Sequence, residues 1–172
     1  MSTWTAPTPP HVYGPVIGAD RPMLEGYLGY QRRTLLAICE GLTAEQLALR
    51  PLPSSNLSLL GLVRHLAKVE RIWLRIRVGH EPIEPLFDPD LGKDYDFDHL
   101  DPADAPGAFD TYAEECRLGD LAAARADFDD TIEWRAGTWS VRMVYVHMIG
   151  EYARHNGHAD LIREDIDGTT NH

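Results

Sequence analysis

The chain has 172 residues, and 44% of them are hydrophobic, which is enough to bury the core of one compact domain. Its net charge of −11 argues against nucleic-acid binding, because that function needs a basic surface to meet phosphates. The same charge argues against an anionic membrane surface, and no apolar run approaches the roughly 20 residues needed to span a bilayer. We therefore expect a globular domain with neither a nucleic-acid nor a membrane partner.

The opening segment and the cysteines indicate a cellular compartment. The opening MSTWTAPTPPHVYGP lacks the basic and apolar regions of a secretory signal. Cys39 and Cys116 form no CxxC pair and are too few for a disulfide framework. Neither has a neighbour in the sequence that is typical of a nucleophile, so we interpret both as buried or incidental thiols. These features predict a cytoplasmic protein.

The first predicted helix follows an N-terminal segment that is rich in proline and glycine. Residues 1–19 are interrupted by proline and glycine and are predicted to form an extended arm, followed by one domain over residues 20–172. Asp20, with Arg-Pro after it, is typical of an N-cap with proline in the first turn. The helix it opens, MLEGYLGYQRRTLLAICEGL, ends near Gly41. Thr43 and Gln46 form a capping-box pattern that opens a further short helical turn.

Three longer helices are predicted after a loop at residues 50–56. Their apolar spacing places them at about Ser58–Val78, Pro106–Ala126, and Thr138 or Ser140 to Ile166 with Gly168 as the stop. His80–Ala105, which we call the crossover segment, is rich in Asp, Pro and Gly, and its length indicates a partly ordered flap near a site. Strand signals are weak everywhere. The pattern predicts an all-α fold, a four-helix bundle with a long irregular crossover loop.

His65 lies near the centre of the apolar face of the second long helix. With residues placed at 100° steps, Ile72, Ile76 and Val69 fall close to it, and the neighbouring charged residues fall away from the centre. A histidine in that position is either a hydrogen-bonded core residue or a metal ligand. The helix by itself leaves both interpretations open.

The last helix adds a carboxylate and an imidazole on one inward face. Glu151 and His155 are spaced i, i+4 and fall within the same apolar arc. A buried carboxylate needs a positive partner, since burying it alone costs several kcal/mol. One answer is a salt bridge with Arg154 or with an arginine from another helix. The other is a divalent metal ion that also binds His65, and the spacing favours the metal only slightly.

A site with three protein ligands would leave one position of the metal open, which is the catalytic arrangement. Imidazole and carboxylate ligands suit zinc, and also nickel, iron or manganese. His147 and His158 lie on the edge of the same arc and are interpreted as groups that orient ligands or transfer protons. A plain polar margin is the alternative interpretation for both.

Three tryptophans lie near the predicted site. Trp73 has helical spacing and is interpreted as a core residue. Trp134 and Trp139 precede the last helix and are expected to plug the end of the bundle, or else to wall a pocket there. No metalloprotease HExxH, serine-hydrolase GxSxG, P-loop or dinucleotide-binding motif is present.

The segments LGLVRHLAKVERIW and VHMIGEYARHNGHADLIRE resemble the DinB-like superfamily. The second is most similar to the actinobacterial branch with the motif H-x-x-x-E-Y-x-R-H-x-G-H-x-D, a branch similar to the metal-binding domain of mycothiol-dependent maleylpyruvate isomerase. This resemblance implies a four-helix bundle, a homodimer, and a divalent metal held by His65, Glu151 and His155. Many other superfamily members have histidine where Glu151 stands. The isomerase has an additional C-terminal domain, so here we expect the bundle, the crossover segment or a second subunit to contact the substrate.

The resemblance also implies a function. Characterised relatives use mycothiol or bacillithiol for S-transfer or isomerisation, which predicts a metal-dependent enzyme that joins a low-molecular-weight thiol to a small electrophile. Two alternatives remain: a metal-dependent hydrolase that activates water, and a non-catalytic metal-binding or stress-response bundle. Turnover without a thiol would indicate the hydrolase, and stability unaffected by chelators would indicate the non-catalytic bundle.

Overall fold

The computed structural model describes residues 3–92, 94–135 and 137–170. Met1, Ser2, Asn171 and His172, at the ends of the predicted arm and domain, lie outside these ranges. The described chain is mainly helical with one small hairpin. No helix in the described ranges is long and apolar enough to cross a membrane. The helices are α1 (Asp20–Cys39), α2 (Ala44–Ala48), α3 (Leu59–Glu70) with a π-helical continuation (Arg71–Val78), α4 (Tyr95–Asp98), α5 (Ala105–Ala123) and α6 (Val141–Asp167).

α1 and α2 lie where the sequence pattern predicted, with a different N-cap residue for α1. Ala19, and not Asp20, occupies the N-cap position of α1, so Asp20 is the first helical residue and its charge faces the positive end of the helix dipole. Gly41 follows the helix with a φ of 77°, a conformation that costs little without a side chain. Thr43 and Gln46 form the predicted capping box at the start of α2.

The second long helix begins where expected and then changes its winding. Ser58 caps α3 by accepting a hydrogen bond from the Gly61 amide. From Arg71 to Val78 the backbone is π-helical, a form that is frequent at functional sites and that nothing in the apolar spacing indicated. The sequence therefore predicted the bounds of this helix, Ser58–Val78, but not its change from α-helical to π-helical winding.

The crossover segment is folded onto α3. It contains 3₁₀ turns at Pro89–Leu91 and Pro102–Asp104, with α4 between them. The Phe97 ring packs so closely over Gly61 that a Cβ added there would meet it at 2.8 Å. Arg50 and Arg64 donate hydrogen bonds to the carbonyls of Phe97 and His99. These contacts fix the position of Asp96, next to Phe97, over α3.

A β-hairpin precedes the last helix, which the weak strand signals did not predict. Its antiparallel strands are β1 (Thr131–Trp134) and β2 (Gly137–Ser140), and Ile132 pairs with Trp139. Ser140 ends β2 and caps α6 by accepting a hydrogen bond from the Met143 amide. The helix stops at Gly168, which has a φ of 76°, as expected for a glycine C-cap.

A buried ion pair crosses the interior between the long helices. α1 packs along α6, and α3 with its π-helical continuation packs along α5. Inside, the Arg32 guanidinium donates to both carboxylate oxygens of Glu70 at 2.7 Å, and Glu70 has no exposed surface. Tyr152 donates to the same carboxylate at 2.7 Å, and Asp120 accepts from the other side of Arg32. The buried charges are thus paired, as burial requires.

Candidate functional site

The facing residues of α3 and α6 bring the predicted ligands together. The ring centroids of His65 and His155 are 4.7 Å apart, and those of Trp73 and His147 are 4.4 Å apart. On the second long helix Trp73 comes eight residues after His65, whereas on α6 its partner His147 comes eight residues before His155. The two helices therefore run antiparallel here. Glu151 lies halfway between the two contacts on α6, on the same side as His155.

His65 is held by a carboxylate that the sequence did not point to. Its Nδ1 lies 2.7 Å from Oδ2 of Asp96, and Nζ of Lys68 contacts the same oxygen at 2.5 Å. Burial opposes ionisation of Asp96, yet the hydrogen bonds from His65 and Lys68 lower its pKa below the usual value. An ionised Asp96 fixes the His65 proton on Nδ1, which leaves the Nε2 lone pair free to bind a metal.

Glu151 and His155 lie side by side on α6. Oε2 of Glu151 is 3.9 Å from Nε2 of His155 and also 3.9 Å from the Arg154 guanidinium. Because the Arg154 side chain is 71% exposed, that long ion pair contributes little. Burial, with the nearby rings of His65 and His158, lowers the pKa of His155 to about 4. The ring is therefore neutral at pH 7, the form in which an imidazole binds a metal.

These side chains are of the types that bind a metal ion, but their positions do not yet converge on one point. Two imidazoles and a carboxylate are a donor set suited to zinc and similar ions, and Nδ1 of His155 is buried with no hydrogen-bond partner among the described residues. Over the same residues, no group of three or more His, Cys, Asp or Glu side chains converges closely enough to hold an ion as it stands. Binding would therefore need the three side chains to turn toward a common point.

The two remaining predicted residues border the same region. His147 packs against Trp73 and Trp139, and burial lowers the pKa of its ring. The His158 ring lies 5.5 Å from that of His155, and Nδ1 of His158 is buried without a hydrogen-bond partner in the described chain. Both are thus close enough to the ligand candidates to influence them, and their roles stay predictions.

The tryptophans of the hairpin close one end of the site. Trp73 contacts Trp134 edge-on at 5.1 Å and stacks on Trp139 at 5.6 Å. Since Trp73 also contacts His147, the cluster forms a plug above the α6 histidines, which agrees with the favoured interpretation of Trp134 and Trp139.

Two cavities lie near the core, and they differ in chemistry. One of about 270 Å³ opens beside Lys68 and Asp96 and is also lined by Phe87 and Tyr95. A larger one of about 560 Å³ lies between α1 and α5, where Arg32 is already paired with Glu70 and Asp120. Only the smaller cavity adjoins a predicted ligand, through the Asp96 carboxylate.

The cysteines offer no nucleophile to either cavity. Cys39 is fully buried, and burial raises the pKa of its thiol to about 12. Cys116 lines the larger cavity, but burial and the neighbouring Glu70 carboxylate raise its thiol pKa far above the usual value. Both thiols stay protonated near neutral pH, as expected for incidental cysteines.

Comparison with known proteins places this arrangement in a family. Residues 23–168 match the family model described as Mycothiol-S-transferase, a family within the DinB-like superfamily. No curated protein and no solved structure matches the chain. The matched range includes α3, α6 and the crossover segment, and therefore His65, Asp96, Glu151 and His155. The chain belongs to the mycothiol S-transferase family.

Proposed function

We propose that this protein is a metal-dependent enzyme that transfers a low-molecular-weight thiol of the mycothiol type to a small electrophile. The family match supports the thiol and the transfer. The meeting of His65 and His155 across the two helices, with Asp96 behind His65, is the observation that supports the metal. From the apolar spacing and the resemblance we infer that the long helices form a four-helix bundle, and from the resemblance alone that the protein is a homodimer. The opening segment and the cysteines are the grounds for inferring that it is cytoplasmic.

His65, Glu151 and His155 would hold the ion, with zinc the first candidate and nickel, iron or manganese the others. Held by these residues, the ion would lower the pKa of a thiol bound to it. Asp96 contributes by keeping the His65 lone pair directed away from itself. Lys68 contributes by keeping Asp96 ionised.

The transfer also needs a group that accepts the thiol proton. His147 and His158 are the candidates, because burial lowers the pKa of His147 and so keeps its ring neutral, and because the His158 ring lies beside His155. The thiolate sulfur then forms a bond to carbon, and the leaving group departs with its electron pair. The cavity beside Lys68 and Asp96 is where we place the polar part of the thiol.

The decisive experiment replaces one ligand candidate. We expect His155→Ala to lose its metal by elemental analysis and to lose transfer of mycothiol to 1-chloro-2,4-dinitrobenzene by at least about a hundredfold, since the imidazole is a direct ligand. His11→Ala, on the exposed arm, is the control and should keep both.

Three results would count against the proposal. His155→Ala with stoichiometric metal and unchanged transfer would remove the metal site. Turnover of an ester or amide without added thiol would favour the hydrolase. A protein whose melting temperature does not respond to chelators, and which shows no transfer, would favour a non-catalytic bundle.

A further inference from the structure

Arg77 occupies an unusual place at the plugged end of the site. It lies on the π-helical continuation of α3, one turn beyond Trp73. Its guanidinium stands 3.7 Å over the Trp134 ring and 5.0 Å from the Trp73 ring. Trp73 also contacts His147, so one indole touches both Arg77 and an α6 histidine.

This arginine has no acceptor in the described chain. Its Nε is buried without a hydrogen-bond partner, and it makes no ion pair there. The other described arginines that are not fully exposed donate to a carboxylate or a backbone carbonyl: Arg21, Arg32, Arg33, Arg64, Arg71, Arg75, Arg142 and Arg163. In a chain of net charge −11, a half-buried arginine that no carboxylate reaches is available to an external anion.

A second cation meets the same indole. Arg135, at the turn of the hairpin, stands 5.1 Å over the Trp134 ring. Both guanidinium groups are cations beside one ring, and cation–π contact supplies neither with a hydrogen-bond acceptor. A carboxylate at Arg77 would accept from its guanidinium fork in two parallel hydrogen bonds, and the positive charge of Arg135 over the same ring would add to the attraction.

The surrounding rings add a preference for shape. Trp73 and Trp134 present flat apolar surfaces beside Arg77, and planar groups stack on such surfaces. A ligand held here would therefore be both planar and anionic. It would lie next to Trp73, whose indole contacts the His147 ring.

We propose that Arg77, with Arg135 and the Trp134 ring, forms a binding site for the carboxylate of a planar, anionic electrophile. Its identification as the electrophile site rests on the proposed thiol transfer, whereas anion binding itself does not. Arg77 is thus a specificity-determining residue that selects carboxylate-bearing substrates over neutral ones.

The test compares benzoate with benzamide, a neutral molecule of nearly the same shape, by quenching of tryptophan fluorescence. We expect the unchanged protein to bind benzoate at least about tenfold more tightly, because a charge-assisted fork is lost with the amide. Arg77→Gln should bind the two alike. Arg77→Lys, which keeps the charge without the fork, should keep part of the preference.

Arg117→Gln is the matched control, because Arg117 is exposed on α5 and its substitution removes the same charge at a position away from the site. It should keep the preference for benzoate. Equal binding of the two probes by the unchanged protein, or an intact preference in Arg77→Gln, would overturn the proposal. Circular dichroism checks folding, and Arg77→Lys carries the test if Arg77→Gln unfolds.

Failure of this inference is separable from failure of the proposed function. Metal content and transfer to the neutral 1-chloro-2,4-dinitrobenzene are measured on the unchanged protein. If these are present and benzoate shows no preference, only the anion site is refuted. If benzoate binds through Arg77 and both are absent, the anion site stands and the thiol transfer is refuted.

Discussion

At the scale of single residues, Asp96 links the crossover segment to the predicted metal ligands. One of its oxygens meets both His65 and Lys68, and its other oxygen is buried without a partner in the described residues. A carboxylate behind an imidazole fixes the tautomer and raises the basicity of the free nitrogen. Asp96 is therefore a positioning residue that acts through His65.

Asp96→Asn tests that role. We expect the amide to weaken zinc binding by about 10- to 100-fold, because it holds the imidazole less firmly and removes a negative charge behind it. Affinity is measured by competition with a chromogenic chelator. The control is Asp98→Asn, since Asp98 lies two residues away on α4 and is exposed. Equal zinc affinity for Asp96→Asn and the unchanged protein would contradict the role.

The predicted ligands were accessible to sequence reasoning for a specific reason. His65, Glu151 and His155 lie on regular helices, where spacing fixes direction, and the structure brings His65 and His155 into ring contact as the helical wheels suggested. Asp96 lies 31 residues after His65 in a segment with no period, so only tertiary contact could reveal it. The metal itself stays a prediction.

At the scale of elements, the packing of α4 on α3 depends on one missing side chain. A Cβ at Gly61 would come within 2.8 Å of the Phe97 ring and 3.1 Å of the capping Ser58 hydroxyl. Phe97 is the neighbour of Asp96, so the close approach at Gly61 sets the height of Asp96 over α3. Gly61 thus connects helix packing with the site.

Gly61→Ala is expected to destabilise the protein by about 1–3 kcal/mol, because the added methyl overpacks the α3–α4 contact. It should also lower zinc affinity by displacing Asp96. Urea unfolding and chelator competition measure the two effects. Gly107→Ala on α5 is the control, since a Cβ there meets nothing within 4 Å, and it should be neutral or slightly stabilising. A Gly61→Ala variant as stable as the control would disprove the packing argument.

The elements themselves were predictable where apolar spacing is long and regular. The predicted bounds for α1, α5 and α6 differ from the observed ones by a few residues. The hairpin escaped because two strands of four residues carry too little alternation to register. The π-helical stretch was not predicted, because its apolar residues still fit the period of an α-helix. The sequence pattern therefore does not reveal the wider winding.

At the scale of the whole molecule, the Arg32–Glu70 pair joins several helices through one buried contact. Arg32 comes from α1, Glu70 from the end of α3, Tyr152 from α6 and Asp120 from α5. On the helical wheel Glu70 fell outside the centre of the apolar stripe, yet it is fully buried, because α3 is enclosed on nearly every side. The interior therefore holds a charged pair in addition to the predicted metal ligands.

Glu70→Gln is expected to destabilise the protein by about 3–5 kcal/mol, since it removes the buried partner of the Arg32 charge and leaves only the exposed Asp120 carboxylate. Urea unfolding measures the loss. Glu114→Gln is the control, because Glu114 pairs with Arg117 on the exposed face of α5, and its unfolding midpoint should not change. An unchanged midpoint for Glu70→Gln would show that the pair contributes nothing to stability.

The buried pair also constrains how the chain can diverge. A variant that lost Arg32 or Glu70 alone would keep a buried charge without its buried partner and would be less stable. Selection against misfolding would remove such a variant. Replacing both at once by apolar side chains of similar volume escapes that penalty. Descendants of this chain should consequently keep the two residues together or exchange them together, so they are inherited as a unit.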